Sequence, residues 1–328
     1  MRFNQFFLAC LTLPLAAAGD CGAFRAELVK TYAFRPSQLS ADALTIKSKE
    51  MDRIWKQVNA DHSLIPCLEQ AIEDPAATQS LRYDGSALLV HSDPSHAHKA
   101  MQAKWWGRTE LVNSDARAWV ETLAALGAEG YDTREGALRW LATKDPHYFL
   151  PEHGGWEIDQ ATGAAFLFGS MDEGQAFDAL KGVIEDPKNP AKELAAETML
   201  GLGTPASCAY IRTMDLSGVN EEYREVIGSL RRDHQLIKPR SGRPKVSREA
   251  FLAAFHAFVD KGNLDPFMAL AGKVSDGERD AVMVLRPEDL PLLHSFRRHL
   301  FARCNPHLLE WDKDLEFILI TLSWPAGA

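Results

Sequence analysis

The sequence predicts an all-α protein, built as an α-α superhelix of stacked helical hairpins followed by a small helical C-terminal subdomain. Three observations carry this reading. Apolar residues recur at helical spacing in short blocks along most of the chain. The blocks are separated by helix-ending signals, among them Asp74-Pro75, Gly130, Asp145-Pro146 and Asp186-Pro187. The stretch from Ala191 to Arg212 reads as one helix, a tight turn and the start of the next helix. In it, Gly203 suits the left-handed residue that ends a helix, Thr204 can cap the following one, and Pro205 fits its first turn. A hairpin of this kind cannot bury its apolar face alone and needs neighbours stacked on it.

The elements follow in order. Residues 1–19 read as a signal peptide: Arg2, an apolar run from Phe6 to Ala18, then small residues up to Gly19. The run is too short to span a membrane. Loss of Arg2 takes the formal charge of the mature chain from −9 to −10, a balance that disfavours nucleic acid and suits solubility. No later stretch is long enough for a membrane span; the best, Phe317 to Trp324, contains Thr321 and Ser323.

Residues 20–235 read as the helical-repeat domain. Phe24, Leu28 and Tyr32 share one helix face, which Arg35-Pro36-Ser37 ends. A second helix is expected over about Lys47 to Val58, with Met51, Ile54 and Trp55 on one side. Leu64, Ile65, Leu68 and Ile72 form the next stripe. Leu81, Leu88, Leu89 and Val90 form another, and Asp93-Pro94 looks like a cap and first-turn proline. Trp119, Val120, Leu123 and Leu126 precede Gly130. Asp132 with Glu135, and Ser170 with Glu173, are expected to form capping boxes. Residues 147–156 read as an irregular loop, with a helix resuming near Glu157. Phe177, Leu180, Val183 and Ile184 mark a further helix, and Val219, Val226, Ile227 and Leu230 another.

Ile72-Glu73-Asp74-Pro75 recurs 112 positions later as Ile184-Glu185-Asp186-Pro187. At the same offset Leu88 falls on Leu200 and Val90 on Leu202, which is the register of about three helical repeats. Residues 236–246 read as a basic linker, within a stretch where Arg231, Arg232, Lys238, Arg240, Arg243, Lys245 and Arg248 are opposed only by Asp233. Residues 247–328 read as the helical subdomain. Phe251, Phe255 and Phe258 supply one face and Leu290, Leu293 and Leu300 another. Leu315 to Leu322 fits either a strand or a final buried helix.

The hairpins resemble HEAT repeats of the short bacterial type. Leu194-Ala195-Ala196 with Leu200 to Ala206 looks like the second helix and turn of that repeat, and Asp132-Thr133-Arg134 with Ala137-Leu138 and Asp145-Pro146 is similar. The resemblance covers about residues 60–230. It implies a scaffold that binds another macromolecule on a concave face.

Four cysteines survive removal of the leader: Cys21, Cys67, Cys208 and Cys304. They allow two disulfides with three connectivities, or four buried thiols; in an elongated array Cys21–Cys67 is the easiest bridge. Motifs for serine hydrolases, zinc proteases, phosphate loops and dinucleotide binding are lacking in the sequence. His91, Asp93, His96 and His98 are the best candidate metal ligands. Two of these imidazoles, His96 and His98, would point about 200° apart on a helix, so only a loop or strand could aim both at one ion. Trp105, Trp106, His147, Glu152, His153 and Trp156 are candidates for a binding surface. The expectation is an exported, non-catalytic scaffold that needs no cofactor and binds a protein or peptide. The alternative is a zinc-dependent hydrolase using the two histidine clusters.

Overall fold

Helices dominate the computed structural model, which describes residues 21–33, 40–104, 113–143, 148–150, 156–158, 160–217, 219, 221–233, 237–238, 241–271, 277–302 and 309–324. The protein is all-α, with one short β-hairpin among the described residues. The segment 1–19, expected to be a signal peptide, and the expected stop at Arg35-Pro36-Ser37 lie outside them. No helix among the described residues is long and apolar enough to cross a membrane. The chain divides into two compact units, residues 1–92 and 93–328.

In the first unit, α1 (Cys21–Tyr32), α2 (Ala41–Ala60), α3 (Ile65–Glu73) and α4 (Gln79–Ser92) pack on one another. The expected stripes supply most of the core: Phe24, Leu28 and Tyr32 from α1, Leu68 and Ile72 from α3, Leu81 and Leu88 from α4; in α2, Ile54 is buried together with Val58, while Met51 and Trp55 are half-buried. Helix α2 begins earlier than its apolar pattern suggested, because the Ser40 hydroxyl accepts the Ala43 N–H and stabilises a polar first turn. Cys21 and Cys67 form a disulfide, with Cα atoms 5.2 Å apart, which ties the start of α1 to α3.

The second unit continues with α5 (Pro94–Lys104), α6 (Asn113–Ala128), α7 (Arg134–Ala142), β1 (Tyr148–Leu150) and β2 (Trp156–Ile158). Then come α8 (Gln160–Ser170), α9 (Glu173–Glu185), α10 (Lys192–Gly201), α11 (Pro205–Thr213) and α12 (Glu221–Asp233). The C-terminal helices are α13 (Arg248–Lys261), α14 (Asp265–Ala271), α15 (Gly277–Val284), α16 (Leu290–Ala302) and α17 (Leu309–Ser323). Successive helices pair, with α8 against α6 and α7, and α10 against α8, α9 and α11.

Two joints hold neighbouring hairpins. The buried Trp140 of α7 donates its indole N–H to the Gln160 carbonyl at 2.8 Å. In return the Gln160 amide donates to the carbonyls of Trp140, Leu141 and Thr143, at 3.3, 3.1 and 2.7 Å, and so satisfies the open end of α7. Gly163 admits the ring; a Cβ there would lie 2.3 Å from Trp140 Cζ2. At the second joint Gly203 adopts φ +61°, and Thr204 and Ser207 form a reciprocal capping box at the start of α11.

The internal echo is also structural. Asp74 follows α3 as Asp186 follows α9. Each carboxylate accepts the backbone N–H two residues on, at 2.9 Å from Ala76 and 3.0 Å from Lys188. Each turn leads into a helix that packs on the one before it. Leu88, Leu200, Val90 and Leu202 are all buried.

Several expectations differ from what the structure contains. Residues 148–150 and 156–158 form an antiparallel pair, Tyr148 opposite Ile158 and Leu150 opposite Trp156, so α8 begins at Gln160 rather than near Glu157. Aromatic and β-branched residues favour this extended pairing. Neither expected capping box forms. Arg134 occupies the Asp132 carboxylate, while the Ser170 hydroxyl donates to the Leu167 carbonyl and leaves Asp172 to cap α9. Leu315 to Leu322 is helical: Leu315, Ile318 and Leu319 share a buried face while Phe317 faces out.

The boundary between units falls after Ser92, and the 236–246 segment lies within the second unit. Its apolar residues Ile237 and Val246 are buried in one cluster with Phe251, Phe255, Phe258, Leu293 and Phe296. Helix α16 packs against α6 and α8 as well as α13 and α17, with Phe301 4.5 Å from Phe166 of α8. The helices after residue 247 therefore share their core with the hairpins before it.

Candidate functional site

The four candidate metal ligands are used separately. His91 is exposed in the last turn of α4, its ring 5.3 Å from that of Trp55. Asp93 accepts the His96 backbone N–H at 3.0 Å and caps α5. Helix α5 carries both His96 and His98, the case in which the two imidazoles diverge. His98 lies 3.1 Å through Nε2 from the Asp132 carbonyl, with its ring 5.1 Å from Tyr131. Among the described residues no group of three or more His, Cys, Asp or Glu is placed to hold a metal ion. Trp105, Trp106, His147, Glu152 and His153 lie outside the described residues, and Trp156 is placed only as a strand residue of β2.

His98 instead leads to a different place. The turn it touches, Tyr131 to Thr133, opens a cleft of about 750 Å³ between α7 and α9. Leu138 and Ala142 of α7, one helical turn apart, and Ala179 of α9 form its apolar lining. Two ion pairs border it. The Arg134 guanidinium meets both oxygens of Asp132, at 2.9 and 2.6 Å, and this holds the Asp132 carboxyl below the usual carboxylate range. Arg139 lies 3.4 Å from Glu135, one turn back along α7. Asp178 of α9 completes the border; it is exposed and close enough for its charge to be felt at Arg134.

A second open cleft, of about 780 Å³, runs along α12 between Glu221, Arg224, Glu225 and Arg232, with Val226 as its apolar member. It follows the charged face of a single helix. The α7–α9 cleft has walls from two elements and an apolar lining, the composition expected of a binding site.

A buried polar cluster where α16 and α17 meet the α10–α11 turn is structural. Arg297 of α16, 1% exposed, donates to the Gly201 carbonyl at 2.8 Å and lies 3.8 Å from Glu316 of α17. The Ser323 hydroxyl donates to the Gly203 carbonyl at 2.6 Å. His294, 8% exposed, sits beside the Gly203 backbone, with Nδ1 3.9 Å from Glu173 Oε1. Burial, reinforced by Arg297, pushes its imidazole down to about 4, so it is neutral at pH 7. A Cβ on Gly203 would meet Leu319 Cβ at 2.5 Å, which leaves no room for a ligand. Cys208 lies buried in the same hairpin, its thiol pushed up to about 12 by burial, where it is a poor nucleophile.

No family model, curated protein or solved structure matches this chain.

The sequence offered Asp132 and Glu135 as helix-capping residues, and Asp132 and Leu138 as parts of the HEAT-like pattern. Asp178 and Ala179 carried no motif. The cleft depends on α7 and α9 packing side by side, with β1, β2 and α8 between them in the chain. Helical periodicity carries no information on such pairings.

Proposed function

We propose that the protein is an exported, non-catalytic helical scaffold of HEAT-like hairpins that binds a protein or peptide in the cleft between α7 and α9. The observation that carries this reading is the cleft itself, an apolar strip of Leu138, Ala142 and Ala179 bordered by fixed charges. An apolar strip along one helix face suits a short extended segment, and its charged borders suit orientation of that segment. The Cys21–Cys67 disulfide supports an oxidising compartment, in keeping with the leader-like N-terminus. No cofactor is part of the reading.

The test uses the mature protein with a photocrosslinking residue at Ala142. A discrete adduct from the native envelope fraction, abolished by Leu138→Glu, is the expected result. An adduct pattern indifferent to Leu138→Glu refutes the cleft as the binding site. Metal analysis of the same preparation tests the hydrolase alternative. Stoichiometric zinc that disappears in His96→Ala would overturn the scaffold reading.

A further inference from the structure

The charges around the α7–α9 cleft are not equivalent. Both arginines are engaged by carboxylates of their own segment, Arg134 by Asp132 and Arg139 by Glu135. Each pair presents a nearly neutral unit to an incoming ligand. Asp178 faces them from α9, exposed to solvent. Among the described residues its carboxylate is the charge in the lining that no ion pair offsets, Arg134 feeling it only at longer range, and it acts in a chain with a formal net charge of −9. A ligand cation placed over Asp178 gains an ion pair without breaking one. A ligand anion must displace Asp132 or Glu135 from its arginine and also meets the repulsion of Asp178.

Building on the scaffold reading, we infer that the cleft recognises a basic segment, with a lysine or arginine set against Asp178 and a neighbouring aliphatic side chain seated on Leu138. The apolar contact supplies most of the affinity and the exposed ion pair supplies the choice between ligands. An exposed pair contributes up to about fivefold, whereas placing like charges together adds a penalty of its own. Reversing the sign at position 178 therefore separates the two contributions better than neutralising it.

The experiment measures fluorescence anisotropy of the full mature protein against three labelled dodecapeptides. Each is an Ala/Ser chain with one central leucine, flanked by two lysines, two serines or two glutamates. The expected affinity order is lysine over serine over glutamate, with a spread of about tenfold that shrinks as salt rises. Asp178→Lys should reverse that order while leaving the serine peptide within about twofold. Circular dichroism of this surface variant checks that the fold is retained. Three peptides of equal affinity, all weakened by Leu138→Glu, would overturn the charge inference and leave the cleft reading in place. Binding that Leu138→Glu does not touch, or no binding at all, would overturn both.

Discussion

Gly203 and Gly130 both adopt positive φ, at +61° and +89°, and both lie in the second unit. They differ in what surrounds them. A Cβ on Gly130 meets nothing within 4 Å, whereas one on Gly203 lies 2.5 Å from Leu319 Cβ and 3.2 Å from the Ile320 backbone nitrogen. Gly130→Ala should therefore cost only the backbone term, about 1–2 kcal/mol for a left-handed non-glycine residue. Gly203→Ala carries that term and an overpacking term of about 1–3 kcal/mol, because the obstructing atoms belong to the first carbon and backbone of α17 and cannot rotate away. The total is about 2–5 kcal/mol. Urea unfolding followed by tryptophan fluorescence, with the disulfide intact, measures both variants in the same structural unit. Losses that agree within about 0.5 kcal/mol would refute the claim that the α10–α11 turn is wedged against α17.

His294 has a folded pKa of about 4 against an ordinary value of 6.5, so the unfolded chain binds a proton first as pH falls. The protein should lose about 3 kcal/mol between pH 6.5 and 4, with no further loss from this group below that. The difference in urea midpoint between wild type and His294→Leu across that window checks it, and a difference that does not change with pH would contradict the assignment. Gln160→Ala should cost about 1–2 kcal/mol by uncovering the end of α7. Gln160→Glu should cost more, because a carboxylate then faces three carbonyls; equal melting temperatures for the two variants would argue against the cap. Replacing Cys21 and Cys67 by serine removes a crosslink spanning 46 residues. This should cost the first unit about 4 kcal/mol in chemical denaturation.

Local chemistry was legible in the sequence wherever one residue decides one turn. Gly203, Thr204 and Pro205 each take the role their side chains dictate. Phe24, Leu28 and Tyr32, like Leu68 and Ile72, are buried as their spacing requires. Asp132 and Ser170 show where such reasoning stops. Each has a competing partner, Arg134 or the Leu167 carbonyl, within reach, and only the folded geometry decides between them. The cleft was less legible still. Leu138 has the same apolar character whether it faces a core or a groove. Asp178 acquires meaning only when α9 lies beside α7. In the 236–246 segment the charges outnumber the apolar residues, and nothing in the sequence marks Ile237 and Val246 as the buried members of a shared cluster.

The position of α16 has a consequence for how the polypeptide matures. Phe166 and its neighbours on α6 and α8 obtain their covering from residues near position 300. A nascent chain that has reached residue 235 holds the hairpins α6 to α12 with that flank bare, exposing apolar surface that invites misassociation. Residues 21–92 carry their own disulfide and core and face no such delay. A stop codon introduced just before Leu290 should yield, on limited proteolysis, a resistant fragment of the first unit while the remainder is digested.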